Sequence, residues 1–192
     1  MTYVIRRYPA HLIDVVEAAG RRLVVRPTLP QDTELQREFF GSLSAEARYL
    51  RFMARLDDVP DWLMERLAGV DYAAHLALLA ETFEDGRECM IGEARYVVDA
   101  GDPASCELAI AVADGWRGLG IGRALLERLE RQAAASGLRR MGADALAVNQ
   151  AMIGLAVRAG YTVRTCPEDA RLVRLEKRLA VEPPARPALI AA

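Results

Sequence analysis

Between Cys106 and Ser136 the chain reads CELAIAVADGWRGLGIGRALLERLERQAAAS, and no other stretch limits the fold as strongly. Cys106 to Ala113 mixes small and apolar residues as a strand with buried faces does. Ile121, Leu125 and Leu129, with Ala124 and Leu126, repeat instead at helical spacing. Between them lies Arg117-Gly118-Leu119-Gly120-Ile121-Gly122. Alternating glycines remove the Cβ atoms that would keep a ligand off the backbone. They also stand where the first unpaired N–H groups of a helix point outward at its positive end. Strand, glycine loop and helix N-terminus together make an anion cradle suited to phosphate, which a merely softened surface turn would not need.

Spacing narrows the ligand. A Walker loop requires G-K-[ST], but Gly122 is followed by Arg123-Ala124. A dinucleotide fingerprint requires G-x-G-x-x-G, but Arg123 stands three residues after Gly120 and Leu125 three after Gly122. What remains is R-x-x-G-x-G, carried by Arg117, Gly120 and Gly122. The 192 residues suit one domain, read as 1–180, with a loose tail over 181–192 where Glu182-Pro183-Pro184 and Pro187 discourage regular structure. A net charge of −2 leaves no electrostatic footprint for nucleic acid. No apolar run is long enough for a membrane span, and Cys89, Cys106 and Cys166 lack CxxC spacing, so free thiols in a reducing cytoplasm are expected. With only His11 and His75, no histidine-rich metal site is expected.

In chain order, His11 to Val16 and Arg21 to Arg26 read as an N-terminal hairpin. Asp32 is a candidate N-cap for a helix to about Leu43, Ser44 for a second, and Pro60 opens a third that Gly69 stops. Asp57, Asp58, Asp61, Glu65 and Asp71 make this region acidic, either a solvated face or a rim attractive to a cationic substrate. His75 to Thr82 and Met90 to Val98 flank the turn Glu84-Asp85-Gly86. After the helix that ends near Gly137 come a strand from Ala143 to Val148, a helix capped by Asn149, and a hairpin of Tyr161 to Arg164 with Leu172 to Glu176.

The R-x-x-G-x-G loop, with its preceding strand and following helix, resembles the coenzyme A pyrophosphate loop of the GNAT N-acetyltransferases. The element order agrees over about residues 20–178. More narrowly the chain is similar to the acetyltransferase domain of Pat-type bacterial protein lysine acetyltransferases. Leu23 to Pro27, Gln31-Asp32, Phe39-Phe40, Leu43 to Phe52, and Asn149 with Met152 carry that similarity. The resemblance implies an α/β (α+β) fold whose mixed central sheet is splayed at the fourth strand and flanked by helices on both faces. It implies acetyl-CoA as co-substrate and no metal. Backbone groups of Ile110, Ala111 and Val112 would meet the pantetheine arm. The loop from Arg117 through Gly118, Leu119, Gly120 and Gly122 to Arg123 would hold the pyrophosphate. Asn149 would either position the pantetheine end or serve only as a cap.

Acetyl transfer to an amine requires a proton acceptor, because a lysine-like amine of pKa about 10.4 arrives protonated at neutral pH. A free backbone N–H near Val112 would suit the oxyanion. Glu107, on the strand upstream of the loop, is the leading base, and the Pat resemblance implies the same role. The alternative is that it faces solvent or pairs with Arg95. Glu93 is the second candidate base. Where many GNAT enzymes carry a tyrosine acid, seven residues after the asparagine, this chain has Ala156, while Tyr161 reads as packing. The acceptor implied is a protein lysine, for instance on a CoA ligase. A small-molecule amine and a non-catalytic CoA-binding module are the alternatives, and monomer and homodimer stay open.

Overall fold

The computed structural model of the protein describes residues 8–18, 20–84 and 86–180. β1 (Asp14–Ala18) and β2 (Arg21–Pro27) form the N-terminal hairpin; β1 starts later than expected because Ala10–Leu12 coils into one 3-10 turn. Helices α1 (Thr33–Ser42), α2 (Ala45–Phe52) and α3 (Asp61–Ala68) follow. Ser44 caps α2, its Oγ accepting from the Ala47 N–H at 3.2 Å. Asp32 does not cap α1 with its side chain. Its carboxylate accepts charge-assisted bonds from Arg26 at 2.6 and 3.0 Å and a bond from the Leu29 N–H at 2.7 Å, so both oxygens are already engaged before α1.

β3 (His75–Glu84) and β4 (Arg87–Val98) make the central hairpin, whose turn residue Asp85 lies outside the described residues. Then come β5 (Ser105–Val112), α4 (Ile121–Ala135), β6 (Arg140–Leu146), α5 (Gln150–Arg158), β7 (Thr162–Thr165) and β8 (Leu172–Arg178). The expected tail at 181–192 also lies outside the described residues. One eight-stranded sheet runs in the order β1-β2-β3-β4-β5-β6-β8-β7, antiparallel except between β5 and β6. The N-terminal strand β1 occupies an edge, so the strand leading into the glycine loop is fifth in the chain.

Helices cover both faces, as alternation along the strands dictates. On one face α4 and α5 pack over Leu78, Ala94, Tyr96 and Leu108. On the other, Phe39, Phe40 and Met64 from α1 and α3 pack over Leu79 and Met90. Gly92 lets α4 approach β4 closely, since a Cβ there would sit 3.2 Å from both Ile121 and Leu125.

Placement of the site depends on the β5–β6 pair. It holds only from Ser105↔Arg140 to Glu107↔Gly142, after which the strands part. The start of α4 and Leu155 of α5 enter the gap: a Cβ on Gly122 would meet Leu155, Val112 and Ile110 at 3.5 to 3.8 Å. Leu125, fully buried where α4 meets the sheet, fixes this wedge. Leu125→Ala should cost about 2–5 kcal/mol in urea denaturation. A loss within about 0.5 kcal/mol, as at ordinary surface positions, would mean that α4 does not depend on that contact.

Candidate active site

In β5 the backbone alternates. The Ala113 N–H donates to Ile91 O at 2.9 Å, and β4 pairs with β5 without a shift through Ala111 and Ala109. Ile110 and Val112 therefore turn their N–H and C=O groups the other way, to the side that β6 has left. A cavity of about 460 Å³ opens there. Of the residues expected to hold a cofactor, Ile110, Ala111, Val112, Arg117, Gly118, Gly120, Gly122, Arg123 and Asn149 all line it. Leu119 is not in the lining, and its side chain is exposed.

The loop is shaped for backbone donors. Gly118 and Gly120 have φ of +75° and +86°, a left-handed conformation that favours glycine. The first α4 N–H with a backbone acceptor is that of Ala124, bonded to Gly120 O at 2.9 Å. From Gly118 to Arg123 the N–H groups have no acceptor among the described residues. Arg117 pairs with Asp114 at 3.1 Å, and Asp114 also accepts from the Ser44 N–H and hydroxyl, tying the loop's entry to the start of α2. Asn149 caps α5, its Oδ1 accepting from the Met152 N–H at 3.1 Å, which leaves its amide nitrogen available at the cavity. A run of unpaired N–H groups, two unpaired strand positions and a free amide fit a phosphate-bearing ligand with an amide-containing arm.

Glu107 and Glu93 stand on the α1–α3 side of the sheet, in different settings. Glu93 is buried, with Arg95 at 2.7 and 2.6 Å, Gln36 at 2.9 Å and Arg51 at 3.7 Å. Burial alone would push its carboxyl up, but the Arg95 guanidinium, Arg51 and Gln36 hold it below its ordinary value. Both oxygens are occupied, so Glu93 is a structural anion and the expectation of a second candidate base is corrected. Glu107 is exposed and has no side-chain partner among the described residues; Arg95, its alternative partner in sequence, faces Glu93.

Glu107 lies where the β5–β6 pairing ends, upstream of the cavity rather than in its lining. Arg51 of α2 is one neighbouring charge and does line the cavity. Arg174 of β8 reaches over Gly142, the β6 partner of Glu107: a Cβ on Gly142 would be 2.7 Å from that guanidinium. Sequence reading missed both arginines as site residues. Arg51 had one local signal, its position one helical turn after buried Ala47, on the same face of α2. Ala156 is fully buried, and Tyr161 is a buried packing residue whose hydroxyl burial pushes well up.

Residues 33–161 match the acetyltransferase (GNAT) family, and the chain belongs to it. It is 31% identical over 154 residues to Acetyltransferase PA5475 of Pseudomonas aeruginosa, across 80% of this chain and 82% of that one. It is 32% identical over 148 residues to Acetyltransferase Pat of Mycolicibacterium smegmatis, across 77% of this chain but 44% of that longer protein. The crystal structure of the GNAT domain of S. lividans PAT superposes with a TM-score of 0.81 at 32% identity, covering 90% of this chain and all (100%) of that one. The protein is an N-acetyltransferase. Among the described residues no helix is long and apolar enough to cross a membrane, and no cluster of three metal-ligating side chains occurs.

Glu93→Gln tests the buried network. The stabilisation from a carboxylate held below its ordinary pKa is complete above that ordinary value, 4.5, and is lost as pH falls through the lower native one. Removing the charge should cost about 3–5 kcal/mol at neutral pH and flatten the acid limb of a urea-midpoint profile. Unchanged stability across pH would show that Glu93 is not the anion that Arg51 and Arg95 require.

Proposed function

We propose that this chain transfers an acetyl group from acetyl-CoA to a primary amine, with a protein lysine as acceptor and Glu107 as general base. The observation that carries the cofactor reading is the unbroken run of unpaired N–H groups from Gly118 to Arg123 at the mouth of the β5–β6 cleft. These donors suit a pyrophosphate, and Ile110 and Val112 offer strand-type bonds to the amides of a pantetheine arm. The bound thioester supplies an activated acyl group with a good leaving thiolate.

The chain's own residues then have three tasks. The loop and Asn149 hold the co-substrate in one register, so that its reacting end lies where the strands converge. Glu107 takes the ammonium proton of the incoming amine, directly or through one water, which exposes the nitrogen lone pair. A backbone N–H in the open part of β5 donates to the oxyanion. With Ala156 in place of the tyrosine acid, the thiolate takes its proton from the amine or from water.

A protein acceptor is favoured by the surroundings of Glu107. Glu107 and Glu176 are exposed, and Asp144 and Arg174 are about one-third open, so a lysine on a bulky partner can reach this side of the sheet. The similarity to Acetyltransferase Pat supports the same reading.

Isothermal titration should show acetyl-CoA binding to the wild type and none to Gly120→Glu, whose carboxylate enters the anion cradle at a φ of +86°. Wild-type protein that does not bind would refute the reading. Glu107→Gln should keep cofactor affinity and lose about 10²–10⁴-fold in turnover, partly recovered at high pH. Equal turnover would remove Glu107 from the mechanism. Thiol release with a CoA-ligase protein but not with polyamines or amino acids would support the protein acceptor; the reverse would replace it with a small amine.

A further inference from the structure

Arg51 is the one cation of the cavity wall whose burial the fold does not fully compensate among the described residues. Its side chain is 10% exposed, its Nε has no hydrogen-bond acceptor, and its nearest carboxylate oxygen, on Glu93, is 3.7 Å away. Glu93 already accepts two bonds from Arg95 and one from Gln36. The remaining contacts hold the Arg51 guanidinium without neutralising it: the rings of Phe40 and Phe52 lie 5.8 and 4.9 Å away. His75, beside Arg95, is pushed by burial toward its neutral form. Two guanidiniums therefore share one buried carboxylate, and the buried part of the cluster carries an excess positive charge, with exposed Glu107 as the further carboxylate in its surroundings. Buried charge of this kind is costly unless an anion arrives to match it.

The excess lies at one end of the cleft. A linear ligand anchored by phosphates on the Gly118–Arg123 donors runs back along Val112 and Ile110. It must stop where β5 and β6 close at Glu107↔Gly142. Arg51 lines the cavity from α2, and its guanidinium is 3.7 Å from Glu93, the β4 partner of Ala111, so it flanks the strand side of the cleft and not the phosphate end. Its enclosed Nε lacks an acceptor, so the guanidinium is under-paired where the Arg51 side chain meets the cavity wall.

We propose that Arg51 is an acyl-selecting residue that binds the distal carboxylate of an acyl-CoA with an ω-carboxyl group, such as succinyl-CoA. The protein would then be a carboxyacyl as well as an acetyl transferase. This rests on the cofactor reading above and adds the class of acyl donor. The transfer has the same balance as acetylation. The amine nitrogen forms the C–N bond, the C–S bond breaks with its electron pair going to sulfur, and the amine proton ends on the thiolate. The products are the amide and coenzyme A, and the distal carboxylate is unchanged. An ion pair made inside a water-poor pocket is charge-assisted, and its absence leaves a buried donor unmatched; both effects favour the anionic chain over a neutral one of equal length.

Calorimetric titration of the intact protein with coenzyme A, succinyl-CoA and butyryl-CoA tests this without knowledge of the acceptor. The wild type should bind succinyl-CoA about tenfold more tightly than butyryl-CoA, the gain expected of one charge-assisted contact. In Arg51→Met the ratio should fall to one or invert, and Arg51→Lys should restore part of it. Coenzyme A affinity reports in each variant whether the phosphate site is intact. If Arg51→Met loses coenzyme A as well, the wild-type and Arg51→Lys ratios decide. Wild-type protein that binds coenzyme A but favours butyryl-CoA, or binds the two equally, overturns this proposal and leaves the acetyltransferase reading standing. Wild-type protein that binds none of the three overturns both.

Discussion

The parting of β5 from β6 after Glu107↔Gly142 is the constraint on which the site depends. A parallel pair normally satisfies its backbone groups along its whole length. Here the pairing stops after three residues, and Ile110 and Val112 are left facing a cavity. The gap persists because Gly122 and Leu155 pack against those two side chains, and because Gly92 admits α4 close enough to the sheet to bring Gly122 there. Small residues on one face thus create unsatisfied polar groups on the strand edge. The same helix entry leaves the N–H groups of its first turn pointing into the cavity.

Charge on the opposite face of the sheet is organised separately. Glu93, Arg95, Arg51 and Gln36 form a buried network between α1, α2 and β4, while Glu107, two positions along the face from Arg95's β5 partner Ala109, stays exposed. Two glutamates on neighbouring strands with the same side-chain direction therefore sit in opposite settings. One is held ionised as a structural anion by Arg95 and Gln36; the other is exposed and has no side-chain partner among the described residues. Arg51 joins this network to the cavity, since it lies 3.7 Å from Glu93 and lines the cavity wall.

Much of this was legible in the chain. The glycine loop, the strand before it and the helix after it follow from residue size and period alone, and the caps at Ser44 and Asn149 follow from side-chain chemistry. Competition between neighbouring elements was not legible. Asp32 has the composition of a helix cap, yet Arg26, six residues earlier at the end of β2, takes its carboxylate. Glu93 and Glu107 both read as carboxylates on apolar strands; only the register that places Arg95 and Gln36 against Glu93 separates them. Arg51 entered only as part of the Leu43 to Phe52 stretch, because its burial depends on α2 docking over β5.

The central claim is that the donors left unpaired by the strand parting and the helix start are the ones that bind coenzyme A. Amide hydrogen exchange followed residue by residue, with and without saturating coenzyme A, tests it most directly. Exchange should slow at Gly118 through Arg123 and at Ile110 and Val112, while Ala111, already bonded to β4, and the β1–β2 hairpin stay unchanged. Coenzyme A that binds yet leaves those amides as fast as in the free protein would contradict the account.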